Sequence, residues 1–197
     1  MKIDTMRRVD YFAGIPLCFI ATLWVQLTGW FGRAVSGKPS RVLFVELSEM
    51  GSAILVDPAM RRIQQDTGCE LYFVIFRSNA VSLRLLGTVP EKNVFTIRDG
   101  GLLTLVVDSL RYLWWTRQQG IDTVIDLELF SRYSALLTGL SGASRRVGFH
   151  PFHNEGLYRG AMLTHRVAYN PHQHIAKNFV ALVNATLSSR PVSYTHL

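Results

Sequence analysis

Residues 48–52 read Ser-Glu-Met-Gly-Ser, between an apolar run at 42–47 and the start of a helical pattern at 52. A strand that runs into a short polar turn and then a helix is where open α/β sheets hold their ligands, because unpaired helix N–H groups point outward there. Ser48, Glu49, Gly51 and Ser52 are therefore the first candidates for a binding rim. A carboxylate such as Glu49 can take the proton of a ligand hydroxyl if it reaches it; otherwise it is a capping or solvated carboxylate, with Ser48 or Ser52 capping the helix.

Three further groups follow the same logic. Arg77, Ser78 and Asn79 come directly after a second apolar run. Asp126 and Glu128 end a fourth run, where Asp126 either meets a ligand or is held by backbone N–H groups. Ser131, Arg132 and Ser134 open the next helical segment and form either an anion-capturing mouth or a capped helix with a solvated arginine. All six histidines lie beyond residue 149, and the pairs His150/His153 and His172/His174 have spacings that could bind metal. No carboxylate or cysteine constellation accompanies them in sequence, so no metal site is expected.

These residues need elements to position them. β-rich apolar runs fall at 42–47, 71–76, 93–97, 123–126 and 146–149, with helical patterns at 52–67, 79–86, 102–118, 132–140 and 174–187. The first two runs are apolar throughout, as strands covered on both faces are. Strand–helix alternation with short turns predicts a doubly wound parallel α/β sheet with right-handed crossovers. Neither a Gly-x-Gly-x-x-Gly after the first strand nor a Gly-Lys-Ser/Thr is present, which weakens dinucleotide-binding and P-loop readings.

Ahead of this body, residues 11–32 contain no charged residue. The stretch matches the roughly 20 residues that span a bilayer core. Three readings stand side by side. The first is a helix lying in the membrane surface, with Thr22, Gln26, Gly29 and Arg33 forming a narrow polar stripe and Trp24 and Trp30 near the interface. The others are a spanning helix and a signal peptide. A linker, Ser36-Gly37-Lys38-Pro39-Ser40, then separates the anchor from the globular part. The expected organisation is an apolar membrane-associating helix and linker at 1–40, a Rossmann-like domain at 41–188 and an irregular tail at 189–197.

Composition narrows the partners. The chain has 197 residues, 48% of them apolar and 18% charged, so it carries enough core for a folded domain. A net charge of +7 favours anionic partners. The basic residues are scattered, however, and no stacking-aromatic pattern or zinc-finger spacing is visible, so nucleic acid is not an expected partner. Two cysteines, Cys18 and Cys69, read as small core residues.

Taken in order, three segments resemble the heptosyltransferase-type glycosyltransferases (family nine): the 41–60 strand–turn–helix unit; the stretch from Asp126 through Ser134 and Gly142 to Arg145-Arg-Val-Gly-Phe149; and Leu163–Tyr169 followed by 172–184. The likeness covers residues 41–187. It implies a GT-B architecture, in which a first Rossmann-like domain binds a lipid-linked core saccharide and a second binds the nucleotide-sugar donor. This chain is long enough only for the acceptor half, with no cofactor of its own and the donor carried by the other domain. The resemblance further implies inverting transfer of a heptose-like sugar in lipopolysaccharide biosynthesis, at the cytoplasmic face of a bacterial inner membrane. The family's catalytic aspartate falls on Ser52, which leaves Glu49 as the nearest substitute base. The 197 residues alone are expected to be inactive, and Arg190–Leu197 reads either as translated adapter sequence on a truncated frame or as an ordinary disordered tail. The rival expectation is a non-catalytic, membrane-tethered Rossmann-like binding module, favoured by the missing aspartate. A flavodoxin-like single domain is weaker, because its phosphate loop and acidic cluster are not evident.

Overall fold

The computed structural model describes residues 3–29, 37–150 and 157–188, with side chains from residue 11 onward in the first helix. The elements run α1 (Ile3–Gly29), β1 (Arg41–Val45), α2 (Met50–Leu55), α3 (Asp57–Thr67), β2 (Glu70–Phe76), α4 (Val81–Leu86), β3 (Val94–Ile97), α5 (Leu102–Gln118), β4 (Thr123–Asp126), α6 (Arg132–Leu140), β5 (Arg145–Phe149), β6 (His165–Val167) and α7 (Ile175–Thr186).

The strands form one six-stranded sheet in the order β3-β2-β1-β4-β5-β6. Every pairing is parallel. The fold is thus the doubly wound α/β sheet expected from the alternation. Side chains alternate across it. Val42, Phe44, Phe73, Ile125 and Val147 face a layer that includes α3 and α7. Leu43, Val45, Tyr72, Val74 and Val124 face Tyr112 of α5 and Leu137 of α6. Both faces of β1 are therefore dry, which is why its sequence reads as a continuous apolar run.

Three local differences from the sequence expectation have physical causes. The helix expected over 52–67 is two helices, because Pro58 lacks an N–H and its ring would strike the carbonyl of Ile54; α2 stops at Leu55 and Pro58 sits in the opening of α3. Residues 77–79 form a single 3₁₀ turn ahead of α4 rather than the start of that helix. Residues 165–167 form a sixth strand, too short to announce itself by pattern, paired with β5 from Val147 to Phe149.

Helix α1 packs on α6 through small residues. Cys18 and Ala21 meet Ala135 and Met162, flanked by Val25, Leu136 and Leu140. The Thr22 hydroxyl donates to the Cys18 carbonyl at 2.7 Å and accepts from the Ala161 amide at 3.0 Å. Thr22 therefore faces the globular part, and the sequence-level stripe that joins it to Gln26 is not one solvent-facing line: Thr22 is buried and Gln26 is exposed. Arg33 and Trp30 of that stripe and belt lie outside the described residues. Gly160 makes the approach possible. Its φ is +75°, and a Cβ there would lie 2.5 Å from the Thr22 hydroxyl and 2.9 Å from the Cys18 carbonyl. Tyr11–Thr28 is long and apolar enough to cross a membrane, and only 22% of it is buried against the protein.

Candidate functional site

In a sheet ordered 3-2-1-4-5-6 the connections leave in opposite directions from β1 and β4, and a crevice opens at their carboxyl ends. That point brings the β1–α2 turn beside the β4–α6 loop, 80 residues apart in sequence.

Glu128 joins the two. Its Oε1 accepts from the Leu47 amide at 3.0 Å, the Ser48 amide at 3.1 Å and the Ser48 hydroxyl at 2.6 Å. From the other flank, the Asn79 side-chain amide donates to the carbonyls of Leu47 at 3.0 Å and Ser48 at 3.2 Å. The turn is thus held on both sides by side chains from other crossovers. Neither Ser48 nor Ser52 caps α2: the Ser48 hydroxyl is given to Glu128, and the Ser52 hydroxyl donates to Glu49 Oε2 at 3.1 Å. A Cβ placed on Gly51 would meet nothing within 4 Å, so the rim is open there. Arg77 is exposed at the same end of the sheet.

The second half of the site is closed from within. Arg159 is almost wholly buried and donates to the Glu128 carbonyl at 2.6 Å, the Ser131 carbonyl at 2.9 Å and the Ser134 hydroxyl at 3.0 Å, besides pairing with Asp126. Ser131 caps α6 by accepting the Ser134 amide at 3.1 Å. The Arg132 guanidinium is turned inward, its Nε donating to the Tyr158 carbonyl at 2.9 Å. Asp126, Ser131, Arg132 and Ser134 therefore do not face the crevice as anion ligands. They clamp the 157–160 segment to the sheet, and a cavity of about 340 Å³ lined by Asp126, Phe149, His150, Tyr158 and Arg159 lies beside the clamp.

Burial and partners separate Glu46, Glu49, Asp126 and Glu128 around the β1–β4 crevice. Glu46 sits at the end of β1, 3% exposed; burial first, then the neighbouring Glu128 charge, pushes its pKa up to about 9. At neutral pH it is a neutral acid beside Glu128, and it accepts the Glu49 amide at 3.3 Å. Burial also lifts Asp126, to about 6, while the Arg159 guanidinium pulls the other way, so it stays ionised at neutral pH and paired. Glu128 Oε1 is taken up by the turn it holds. Glu49 is the carboxylate left exposed on the rim, oriented by Ser52.

Sequence reasoning overlooked Glu46, Arg159 and Phe130. Glu46 carried a signal, being a charged residue inside an apolar parallel strand. Phe130 stands 74% exposed two residues beyond Glu128, which only the structure reveals. Arg159 had none, since its partners are all more than 24 residues away. Of the histidine pairs, His174 caps α7 by accepting the Ala176 amide at 3.3 Å, and His153 lies outside the described residues. Among the described residues no group of three or more His, Cys, Asp or Glu is placed to hold a metal.

The fold is similar to that of one half of solved GT-B glycosyltransferases. The chain superposes on a family 9 glycosyl transferase from Veillonella parvula with a TM-score of 0.58 at 13% identity, covering 79% of this chain and 44% of that one. It superposes on the heptosyltransferase WaaC of E. coli, solved with ADP-2-deoxy-2-fluoro heptose, with a TM-score of 0.62 at 18% identity, covering 79% and 50%. The same enzyme solved with ADP gives 0.61 at 18% identity. The chain thus spans about half the length of the structures it matches. No family model and no curated protein matches the sequence.

Proposed function

We propose that this chain is the acceptor-binding half of a heptosyltransferase-type glycosyltransferase that works on a lipid-linked saccharide at the cytoplasmic face of a bacterial inner membrane. The observation that carries the reading is the pre-set β1–α2 turn at the switch point, held by Glu128 and Asn79 and presenting Glu49 on an open rim. In inverting transfer, a base removes the proton of the acceptor hydroxyl as its oxygen attacks the anomeric carbon and the nucleoside diphosphate leaves. Glu49 is the carboxylate available for that proton. Exposed Phe130 supplies an apolar ring against a sugar face, and Arg77 a cation for a phosphorylated core. The family resemblance of residues 41–187 and the likeness to the heptosyltransferase fold support the substrate class.

The test is a titration of the chain with deacylated lipopolysaccharide core saccharide and, separately, with a nucleotide sugar. Saturable binding of the saccharide, weakened by Phe130→Ala and Arg77→Ala, is the expected result. Binding of the nucleotide sugar alone would overturn the assignment of this half to the acceptor. Joined to a donor-binding half, the Glu49→Gln variant should keep acceptor affinity and lose transfer.

A second reading rests on one observation. Where the resemblance places an aspartate, this chain has Ser52, whose hydroxyl is engaged with Glu49. A non-catalytic, membrane-tethered Rossmann-like binding module follows if the parent chain, joined to a donor-binding half, binds the saccharide but shows no transfer.

A further inference from the structure

Helix α5 is apolar on two sides: Tyr112, Leu105, Leu113 and Trp115 pack on the core, and a second apolar stripe faces outward. Asp108, Tyr112 and Thr116, spaced four apart, are buried. Asp108 pairs with Arg98 at 2.8 Å, and the Thr116 hydroxyl donates to the Ser141 carbonyl at 2.9 Å. On the opposite side Leu103, Val106, Leu110 and Trp114 recur at steps of three and four, with Val107 beside them, and stand 47% to 82% exposed. A solvated helix is apolar inward and polar outward. This chain supplies no cover for the stripe among the described residues.

Its neighbours indicate what covers it. α5 lies against α6, linked through the Ser109–Tyr133 hydroxyl pair at 2.8 Å and the Arg117 guanidinium on the Leu140 carbonyl at 3.0 Å. α6 also carries α1, so α5 and α1 both lie on the α6 side of the sheet. Phe12, Phe19, Ile20, Leu23, Trp24 and Leu27 of α1 are exposed as well. The charge is one-sided. The single carboxylate of α5, Asp108, is turned inward, while the exposed side chains of Arg111, 3.7 Å from Asp108, and Arg117, bonded to the Leu113 and Leu140 carbonyls, flank the stripe.

We propose that the outer stripe of α5 and the exposed face of α1 form one two-helix platform that rests in the surface of an anionic lipid bilayer. Aliphatic and tryptophan side chains enter the acyl boundary, and Arg111 and Arg117 meet headgroup phosphates. The proposal deepens the reading of α1 as a membrane-associating helix by giving the folded domain its own lipid contact. Two contact points also fix the tilt of the domain, and with it the height of the Glu49 rim above the membrane.

The experiment uses the full chain with one added cysteine at a time, the native Cys18 and Cys69 being buried and a parent chain serving as the labelling control, labelled with an environment-sensitive fluorophore at Leu110→Cys on α5, Leu27→Cys on α1 and Arg62→Cys on α3 of the opposite layer. The labelled chains are mixed with phosphatidylethanolamine–phosphatidylglycerol vesicles containing brominated lipid. Quenching and a blue shift at 110 and 27, with none at 62, is the expected result. Quenching at 27 alone overturns the platform and leaves α1 as a membrane helix. Quenching at neither position overturns the membrane reading of both helices, while saccharide binding remains separately measurable. A label at 110 already shielded without vesicles, in a chain that sediments as a dimer, overturns the proposal in favour of a second copy as the occupant. Leu110→Glu, on a surface position that leaves the fold intact by circular dichroism, should weaken vesicle partitioning by about tenfold. Unchanged partitioning of that variant would count against the proposal.

Discussion

Glu128 accepts the Ser48 hydroxyl at 2.6 Å and the Ser48 amide at 3.1 Å, so a carboxylate from the fourth crossover holds the turn of the first. Removing it leaves the part-buried Leu47 amide and the exposed Ser48 amide and hydroxyl without their acceptor. Glu128→Ala should therefore cost about 1–3 kcal/mol in urea unfolding. The amides of Leu47 and Ser48 should exchange with deuterium faster than in the parent, with little change at β2. Unaltered protection at these two amides would show that the turn holds itself.

The raised pKa of Glu46 makes stability fall with pH. The folded chain keeps this proton up to about 9, whereas the ordinary carboxyl value is 4.5. The folded state therefore binds more protons between those values, and by linkage the contribution of Glu46 is full below about pH 4.5 and is lost progressively as pH rises to about 9. Glu46→Gln should flatten the decline in urea midpoint from pH 5 to pH 9 relative to the parent. Parallel curves for the two proteins would refute the assignment.

Arg159 and Asp126 form a buried ion pair at the centre of the clamp. Truncating one partner strands the other charge in a dry site, so Arg159→Ala should destabilise by roughly 3–5 kcal/mol. Adding Asp126→Asn to it should recover a large share of that loss. A double-mutant cycle by chemical denaturation measures the coupling, and simple additivity would count against the pair.

Gly160 controls the seat of α1. Gly160→Ala places a methyl group 2.5 Å from the Thr22 hydroxyl in a left-handed backbone, adding roughly 1–2 kcal/mol of backbone strain to the clash. The expected outcome is undocking of α1 without loss of the sheet. Limited proteolysis should release the segment before β1 several-fold faster, with the remainder still cooperative in thermal unfolding. Equal cleavage rates would mean that the glycine is incidental to docking.

Much of the architecture was legible because local chemistry specifies it. β1 and β2 had to be covered on both faces to justify unbroken apolar runs, and the alternation with helices left a parallel sheet as the economical arrangement. Val56-Asp57-Pro58 even encoded the break between α2 and α3, which the periodicity of 52–67 hid. Of the candidate site residues, the turn at 48–52 was placed at the crevice by the strand-then-helix order alone. Asp126, Ser131, Arg132 and Ser134 had the right types and spacing for an anion site, yet they serve a clamp, because residue 159 reaches them from a loop whose approach no local pattern records.

By itself, then, the sequence determined five of the six strands and most of the helices, that the first strands lie inside, and that an apolar helix precedes them, since each follows from side-chain periodicity and backbone propensity within a few residues. Tertiary structure alone decided which carboxylates are charged and free. Whether Glu46 keeps its proton, Asp126 is neutralised by Arg159 or Glu49 stays on the rim depends on burial and on partners across distant crossovers, as does the outward turn of one apolar side of α5. Desolvation and pairing are properties of a place in the fold, and that place exists only once distant segments have met.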